Sequence, residues 1–206
     1  MRQEYEGGFL DESQMAADPL EMFHRWLSEA VRAGVTEPNA MTLATASPEG
    51  RPSARVVLLK EVNAQGFVFF TNYLSRKGRE LLANPHAALV FDWHVMERQV
   101  RIEGRVERVT AQESDAYFLS RPEAARIGAW TSPQSKIVKD RAELDALQQE
   151  VERKFADKGI HRPDHWGGFL LRPDVIEFWQ GRPNRLHDRI ACYRTEEGWS
   201  MHRLAP

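Results

Sequence analysis

Arg185, His187 and Arg189 alternate in the segment Arg-Leu-His-Asp-Arg, so an extended backbone would aim two guanidiniums and an imidazole to one side. Such a face suits an anion. Arginine keeps its proton, with a pKa above ~12, so Arg185 can orient and stabilise a substrate oxyanion but cannot act as a free base. His187 can accept a proton, or it can simply hydrogen-bond and pack. A second basic constellation runs from Arg55 through Val56, Val57, Leu58 and Leu59 to Lys60, followed by Phe70-Thr71 and Ser75-Arg76-Lys77. Ser75 can cap a helix whose first turn carries Arg76 and Lys77. Free backbone N–H groups, the positive end of the dipole and two cations would then converge on a phosphate. A solvated basic helix start is the competing reading. Arg55 and Lys60 are five positions apart, so a regular strand points them to opposite faces, unless a bulge intervenes. A third set, Tyr117, Arg121 and Ala125, forms one row if the helix is continuous, although Pro122 ends one helix and starts another there. Read alone, a tyrosine and an arginine on a helix are packing and surface residues more often than ligands.

These residues have to be positioned by an ordinary globular chain. Its 206 residues are 42% hydrophobic and 28% charged, enough for one substantial core. A net charge of −2 excludes the basic excess of a dedicated nucleic-acid binder. The single cysteine, Cys192, cannot form an intrachain disulfide and fits a reducing compartment, with the cytoplasm as the expected location. No apolar run is long enough to span a bilayer. Residues 1–17 lack any period and read as an arm ahead of a single domain over 18–206. Asp18-Pro19-Leu20-Glu21 starts a helix with an apolar stripe ending at Gly34. Strand-type alternation predicts strands at 40–47, 53–61, 67–71, 87–94, 98–109, 166–171, 175–180, 188–194 and 199–204. Helices are expected at 75–82, 110–120 and 140–155. The fold class is α+β, mainly antiparallel β: a barrel with peripheral helices. His161-x-x-x-His165 with Asp164 has metal-like spacing but sits beside Pro163 in a loop, and no metal site is expected. The glycines supply neither a Rossmann fingerprint nor a phosphate-binding loop of the nucleotide-hydrolase type.

Ile176-Glu-Phe-Trp-Gln180, four residues, then Arg185-Leu-His-Asp-Arg189 resembles the C-terminal signature of pyridoxamine (pyridoxine) 5'-phosphate oxidases, and the resemblance extends over essentially the whole chain. It implies an FMN-binding split barrel that oxidises pyridoxamine 5'-phosphate or pyridoxine 5'-phosphate to pyridoxal 5'-phosphate with oxygen. It also implies a homodimer with FMN at the subunit interface. By resemblance, FMN contacts fall on Arg55 through Lys60, Phe70, Thr71, Arg76, Lys77, Gln99, Gln134, Ser135, Trp179 and Arg189. Substrate contacts fall on Arg2, Gln3, Glu4, Tyr5, Lys60, Tyr117, Arg121, Arg185, Leu186 and His187, with Arg185 and His187 in the catalytic positions. The chain departs from the family at Phe70, where tyrosine is usual, at Ala125, where serine is typical, and at Glu37, where aspartate is usual. Two rival functions are an oxidoreductase of the same fold on another substrate, and a non-catalytic flavin or pyridoxal-phosphate carrier. Neither needs the full set of Lys60, Tyr117, Arg121, Arg185 and His187.

Overall fold

The computed structural model describes Tyr5 and residues 8–206. Arg2, Gln3 and Glu4 lie outside the described residues. The first long element is α1 (Pro19–Arg32), capped by the Asp18 side chain on the Leu20 amide, with proline in its first turn. Its buried stripe, including Met22, Phe23 and Trp26, covers the open end of a curled antiparallel sheet. The remaining elements are β1 (Ala40–Ala46), β2 (Pro52–Leu58), β3 (Glu61–Asn63), β4 (Gly66–Asn72), α2 (Arg76–Ala83), β5 (His86–Trp93), β6 (Arg98–Arg108), α3 (Ala111–Ser120), α4 (Glu123–Thr131), α5 (Arg141–Phe155), β7 (Trp166–Gln180), β8 (Asp188–Thr195) and β9 (Gly198–Arg203).

Strands run in the order β2-β1-β5-β6-β7-β4-β3, with β8 also on β7 and β9 on β8. Every ladder is antiparallel, as the short turns at 47–51 and 63–66 require. β7 organises the sheet. Along one edge it pairs with β6 throughout, while its other edge takes β4 opposite 166–171 and β8 opposite 175–180. The sequence around Pro173 reads as a break between two strands, but the chain runs through as one 15-residue strand. A bulge accommodates the proline: Val175 faces Glu103 and Pro173 faces Gly104, so Asp174 is the extra residue. Gly104 permits the approach, since a Cβ there would stand 2.0 Å from the Arg172 carbonyl oxygen. The bulge also shifts parity. Core-facing side chains are Phe169 and Leu171 before it and Ile176 and Phe178 after it. Trp166, Glu177 and Trp179 consequently share the opposite face.

Two apolar clusters result. The main one fills the sheet's concave side, with Phe23, Leu43, Phe67, Phe91, Trp93 and Phe178 at its centre. A smaller one, Phe118, Ile127, Phe155, Ile160 and Trp166, lies under α3, α4 and α5. β2 ends at Leu58, earlier than the expected 53–61, so Arg55 and Lys60 do not belong to one strand. Before α1, a short 3-10 turn at Glu12–Gln14 is anchored by a capping box from Asp11. Glu37 adopts φ 47°, a left-handed conformation that the shorter aspartate tolerates better. Among the described residues no helix is long and apolar enough to cross a membrane.

Candidate functional site

A cleft of about 520 Å³ opens between β4, the β2–β3 junction and the α3–α4 corner. Its floor is aromatic. Phe70 and Tyr117 are stacked with centroids 4.0 Å apart, and Trp166 continues the pile, 5.5 Å from Phe70 and 16° from parallel to it. Its far wall is the face of α4 that carries Ala125, Gly128, Ala129 and Ser132. This spacing puts small side chains on one helical stripe and leaves room for a ligand. A Cβ built on Gly128 meets nothing within 4 Å. Lys60, Lys77 and Arg121 bring positive charge to the same volume.

Among the described residues these cations have no carboxylate partner. Lys77 Nζ donates to Thr71 Oγ1 at 3.2 Å and Gln134 Oε1 at 3.0 Å, and has no carboxylate partner among the described residues. Burial, then the neighbouring Arg55, pulls its pKa down. Arg121 Nη1 is buried with no acceptor among the described residues. Burial lowers the Arg121 pKa as well, with Tyr117 acting in the opposite direction. A desolvated guanidinium nitrogen without an acceptor is expensive unless an anion arrives to take its proton in a hydrogen bond. Tyr117, Arg121 and Ala125 all reach the cleft even though the helix breaks between them: Arg121 is the C-cap of α3, in an extended conformation, and Pro122 precedes α4.

The start of α2 forms the edge of the cleft. Ser75 caps the helix by accepting from the Gly78 amide, and Ser135 Oγ accepts from the Arg76 amide at 3.1 Å. Glu80, one turn on, is 8% exposed and accepts hydrogen bonds from Thr45, Ser53 and Arg76. Burial pushes its carboxyl up, but these hydrogen bonds outweigh burial and hold it at about 2. Arg55 stands 3.5 Å from Glu80 and donates to the Leu43 carbonyl and the Thr45 hydroxyl. It does not line the cleft, yet it stands close enough to Lys77 to lower that residue's pKa. Leu59 is buried in the core, whereas Val56, Val57, Leu58 and Lys60 line the opening.

The other expected residues gather elsewhere. Gln99, Trp179 and Arg189 oppose one another directly across β6, β7 and β8, giving one row on the outer face. Next to it, Glu177 is 5% exposed and takes Arg189 in a bidentate pair at 2.7 and 3.1 Å, with Arg101 at 2.7 Å. The His187 ring lies 4.7 Å from Trp179, and Tyr5 packs edge-on against both. His187 Nδ1 accepts from the Arg182 amide at 3.1 Å. An amide can only donate, so the neutral imidazole carries its proton on Nε2 and presents a donor there. The expected alternation of Arg185, His187 and Arg189 does not occur. Pro183–Arg185 is a 3-10 turn with Asn184 and Arg185 at positive φ, and the strand begins only at Asp188. Proline at 183 and the left-handed pair leave Arg185 and Leu186 exposed on the corner. None of Gln99, Trp179, Arg185, Leu186, His187 or Arg189 lines the cleft.

Sequence reading missed Glu80, Glu177 and Trp166. Glu80 carries a usable signal, being four residues after Arg76, but that spacing normally marks a solvated surface pair. His161 and His165 are structural: His161 packs on Trp130 and Phe155, and His165 Nε2 lies 3.3 Å from the Ala129 carbonyl.

Comparison with known proteins agrees with this geometry. The family model described as pyridoxamine 5'-phosphate oxidase matches residues 27–154, and that described as the pyridoxine 5'-phosphate oxidase C-terminal dimerisation region matches 166–206. The chain is 57% identical to a pyridoxine/pyridoxamine 5'-phosphate oxidase of Thermosynechococcus vestitus and 56% identical to that of Burkholderia lata, in both cases over 100% of this chain and 97% of the relative. The structure of PhzG from Burkholderia lata 383, in complex with tetrahydrophenazine-1-carboxylic acid, superposes with a TM-score of 0.91 at 30% identity, covering 99% of this chain and 100% of PhzG. A pyridoxamine 5'-phosphate oxidase-related, FMN-binding protein from Nostoc punctiforme shares the fold at TM-score 0.73 and 18% identity, covering 93% of this chain and 100% of that one.

Proposed function

The chain belongs to the pyridoxine/pyridoxamine 5'-phosphate oxidase family of split-barrel oxidoreductases, and on that premise we propose that it oxidises pyridoxine 5'-phosphate or pyridoxamine 5'-phosphate to pyridoxal 5'-phosphate. The observation that carries this is the buried Arg121 Nη1, without an acceptor among the described residues, in a cleft shared with Lys60 and Tyr117. These groups would hold the substrate's phosphate, supplying a planar donor fork, a point charge and a hydroxyl. FMN fits the neighbouring end. Lys77, half-buried and without a carboxylate partner among the described residues, would take the flavin's phosphate with Thr71, Gln134, Ser135 and the N-terminus of α2. When bound, FMN supplies the two-electron acceptor for oxidation at C4' and returns those electrons to oxygen as hydrogen peroxide; amine substrate also takes up water and releases ammonia. His187 would donate from Nε2 to the substrate ring, and Arg185 would stabilise negative charge there. The arm at 1–17 would close over the substrate, with Tyr5 already resting on Trp179 and His187.

The site would be completed by a second copy of the chain. Trp166 and Trp179 are thirteen residues apart on one strand, a contour of at most roughly 40 Å at 3.3 Å per residue. Within one protomer no residue of the Gln99, Trp179 and Arg189 row lines the cleft. A homodimer in which one protomer's cleft meets its partner's Gln99, Trp179 and Arg189 row brings them together, and the dimerisation-region match over 166–206 supports it. The cytoplasm remains the proposed compartment, supported by the single, buried Cys192.

PhzG motivates a second reading, oxidation of a carboxylated ring system without phosphate. The relatives in Burkholderia lata weigh against it: the chain is 56% identical to that organism's pyridoxine/pyridoxamine 5'-phosphate oxidase and 30% identical to PhzG. The deciding assay follows hydrogen peroxide and aldehyde from FMN-loaded protein given each phosphorylated vitamer, with unphosphorylated pyridoxine as control. Aldehyde should form from the phosphorylated forms and at most weakly from pyridoxine. No aldehyde from either phosphorylated vitamer would leave the second reading standing.

A further inference from the structure

Trp166 has no assigned role, yet Arg121 rests on it, and more distantly on Phe118, whose ring centroid is 5.7 Å away. The Arg121 guanidinium carbon lies 4.6 Å from the centroid of the Trp166 ring. Backbone constraints bring it there. Arg121 donates its amide to the Phe118 carbonyl as the C-cap of α3, and Pro122 holds it extended. Trp166 is itself fixed from several sides. It opens β7 opposite Asn72, its amide donates to the Pro163 carbonyl, the residue is 7% exposed, and its ring is edge-on to Phe118 and nearly parallel to Tyr117. Among the described residues no carboxylate pairs with Arg121, and its Nη1 has no acceptor. The aromatic face is thus the principal feature that sets where this charge sits.

We propose that Trp166 is a positioning residue: its ring face holds the Arg121 guanidinium in the cleft, set to receive the substrate's phosphate. A π face suits this task better than a carboxylate. It attracts a cation without neutralising it or occupying its N–H groups, so the donors remain free for the ligand. A carboxylate partner would have competed with the phosphate for the same protons. A guanidinium fixed before binding also loses less rotational freedom when the phosphate arrives. The proposal rests on the assignment of Arg121 to that phosphate.

The test is a double-mutant cycle on FMN-loaded protein with Trp166→Leu, Arg121→Ala and the pair. For each, KM and kcat for pyridoxine 5'-phosphate are measured, together with the equilibrium affinities for pyridoxal 5'-phosphate and pyridoxal. Trp166→Leu should raise KM and weaken pyridoxal 5'-phosphate about three- to thirtyfold, while kcat and pyridoxal affinity stay within about twofold. In the Arg121→Ala background the same substitution should add almost nothing. Trp166→Phe, which keeps a smaller π face, should fall between the parent and leucine. If the leucine variant does not fold, the cycle run with phenylalanine tests the same coupling. Additive losses, or equal losses of pyridoxal and pyridoxal 5'-phosphate, would overturn the proposal and leave Trp166 as packing only. Unchanged KM in Arg121→Ala would instead overturn the phosphate assignment beneath it.

Discussion

The cleft and the β6–β8 row are both rich in cations, and they treat them in opposite ways. In the row, charges are matched within the chain: Arg101 and Arg189 share Glu177, while Arg203 reaches Asp188 at 2.8 Å and Glu12 at 2.7 Å. In the cleft, Lys77 and Arg121 have no carboxylate partner among the described residues, and burial depresses the pKa of both. Paired cations give fixed positions. Unpaired, desolvated cations represent a cost that a bound anion removes, so the difference separates the surface that waits for phosphates from the surface that shapes a ring contact.

The contrast breaks most visibly at Lys77. Replacing Lys77 with alanine should weaken FMN by roughly 10- to 10²-fold in a flavin fluorescence titration, since a charge-assisted hydrogen bond contributes about 1.5–3 kcal/mol. Riboflavin, which has no phosphate, should bind the variant and the parent alike. Lys77→Met should meanwhile cost little thermal stability in FMN-free protein, because only the hydrogen bonds to Thr71 and Gln134 are lost and no ion pair. A large drop in Tm would show that those two hydrogen bonds hold the fold and are not merely held ready for the ligand.

Glu177 offers the reverse test. Glu177→Gln leaves Arg101 and Arg189 without their shared carboxylate and should destabilise the FMN-free protein by about 2–3 kcal/mol, below the full value for a buried pair because both arginines keep some exposure to water. Denaturant unfolding measures it. A loss under about 0.5 kcal/mol would mean that solvent screens the row and that the two regions differ less than their geometry indicates.

The smallest effect sharpens the edge of the cleft. Ala125 lies on the α4 stripe that faces the opening, and Ala125→Ser should restore one neutral donor to the phosphate. KM should fall about two- to tenfold with kcat nearly unchanged. Arg126 Nε is also buried without an acceptor among the described residues, so the same measurement in an Arg126→Ala background checks whether that side chain already supplies the donor. Unchanged KM in both would mean that residue 125 does not meet the phosphate.

Local elements were legible because their signals are local: the Asp18 cap and Pro19 of α1, the Ser75 cap of α2 and the Thr110 capping box of α3 all appear where the residues require. What escaped depends on distant partners. Pro173 reads as a strand end because the glycine that accommodates it, Gly104, is in another strand. Arg185 reads as extended because alternation says nothing of the positive φ that Asn184 and Arg185 adopt after Pro183. Cleft residues such as Lys60, Tyr117 and Arg121 were named by family resemblance. The absence, among the described residues, of a carboxylate partner for Lys77 and Arg121 depends on what surrounds those side chains, and no spacing encodes it. Glu80 and Glu177 look like ordinary solvent-facing acids until the sheet closes around them.

Asp174, the residue that the sheet does not pair, limits how this lineage can change. Deleting it would leave Pro173 opposite Gly104 and Val175 opposite Glu103 as consecutive pairs, with the faces beyond unchanged, but regularising the ladder with Asp174 in place would slip everything beyond it by one place and reverse sides. Trp179 and Glu177 would turn toward the apolar core, and Ile176 and Phe178 toward the outer face. Variation in length can accumulate in the connections at 132–140 or 195–198 without that penalty. Between Leu171 and Val175 the residue count and the bulge can change only together, because either change alone turns the row inward.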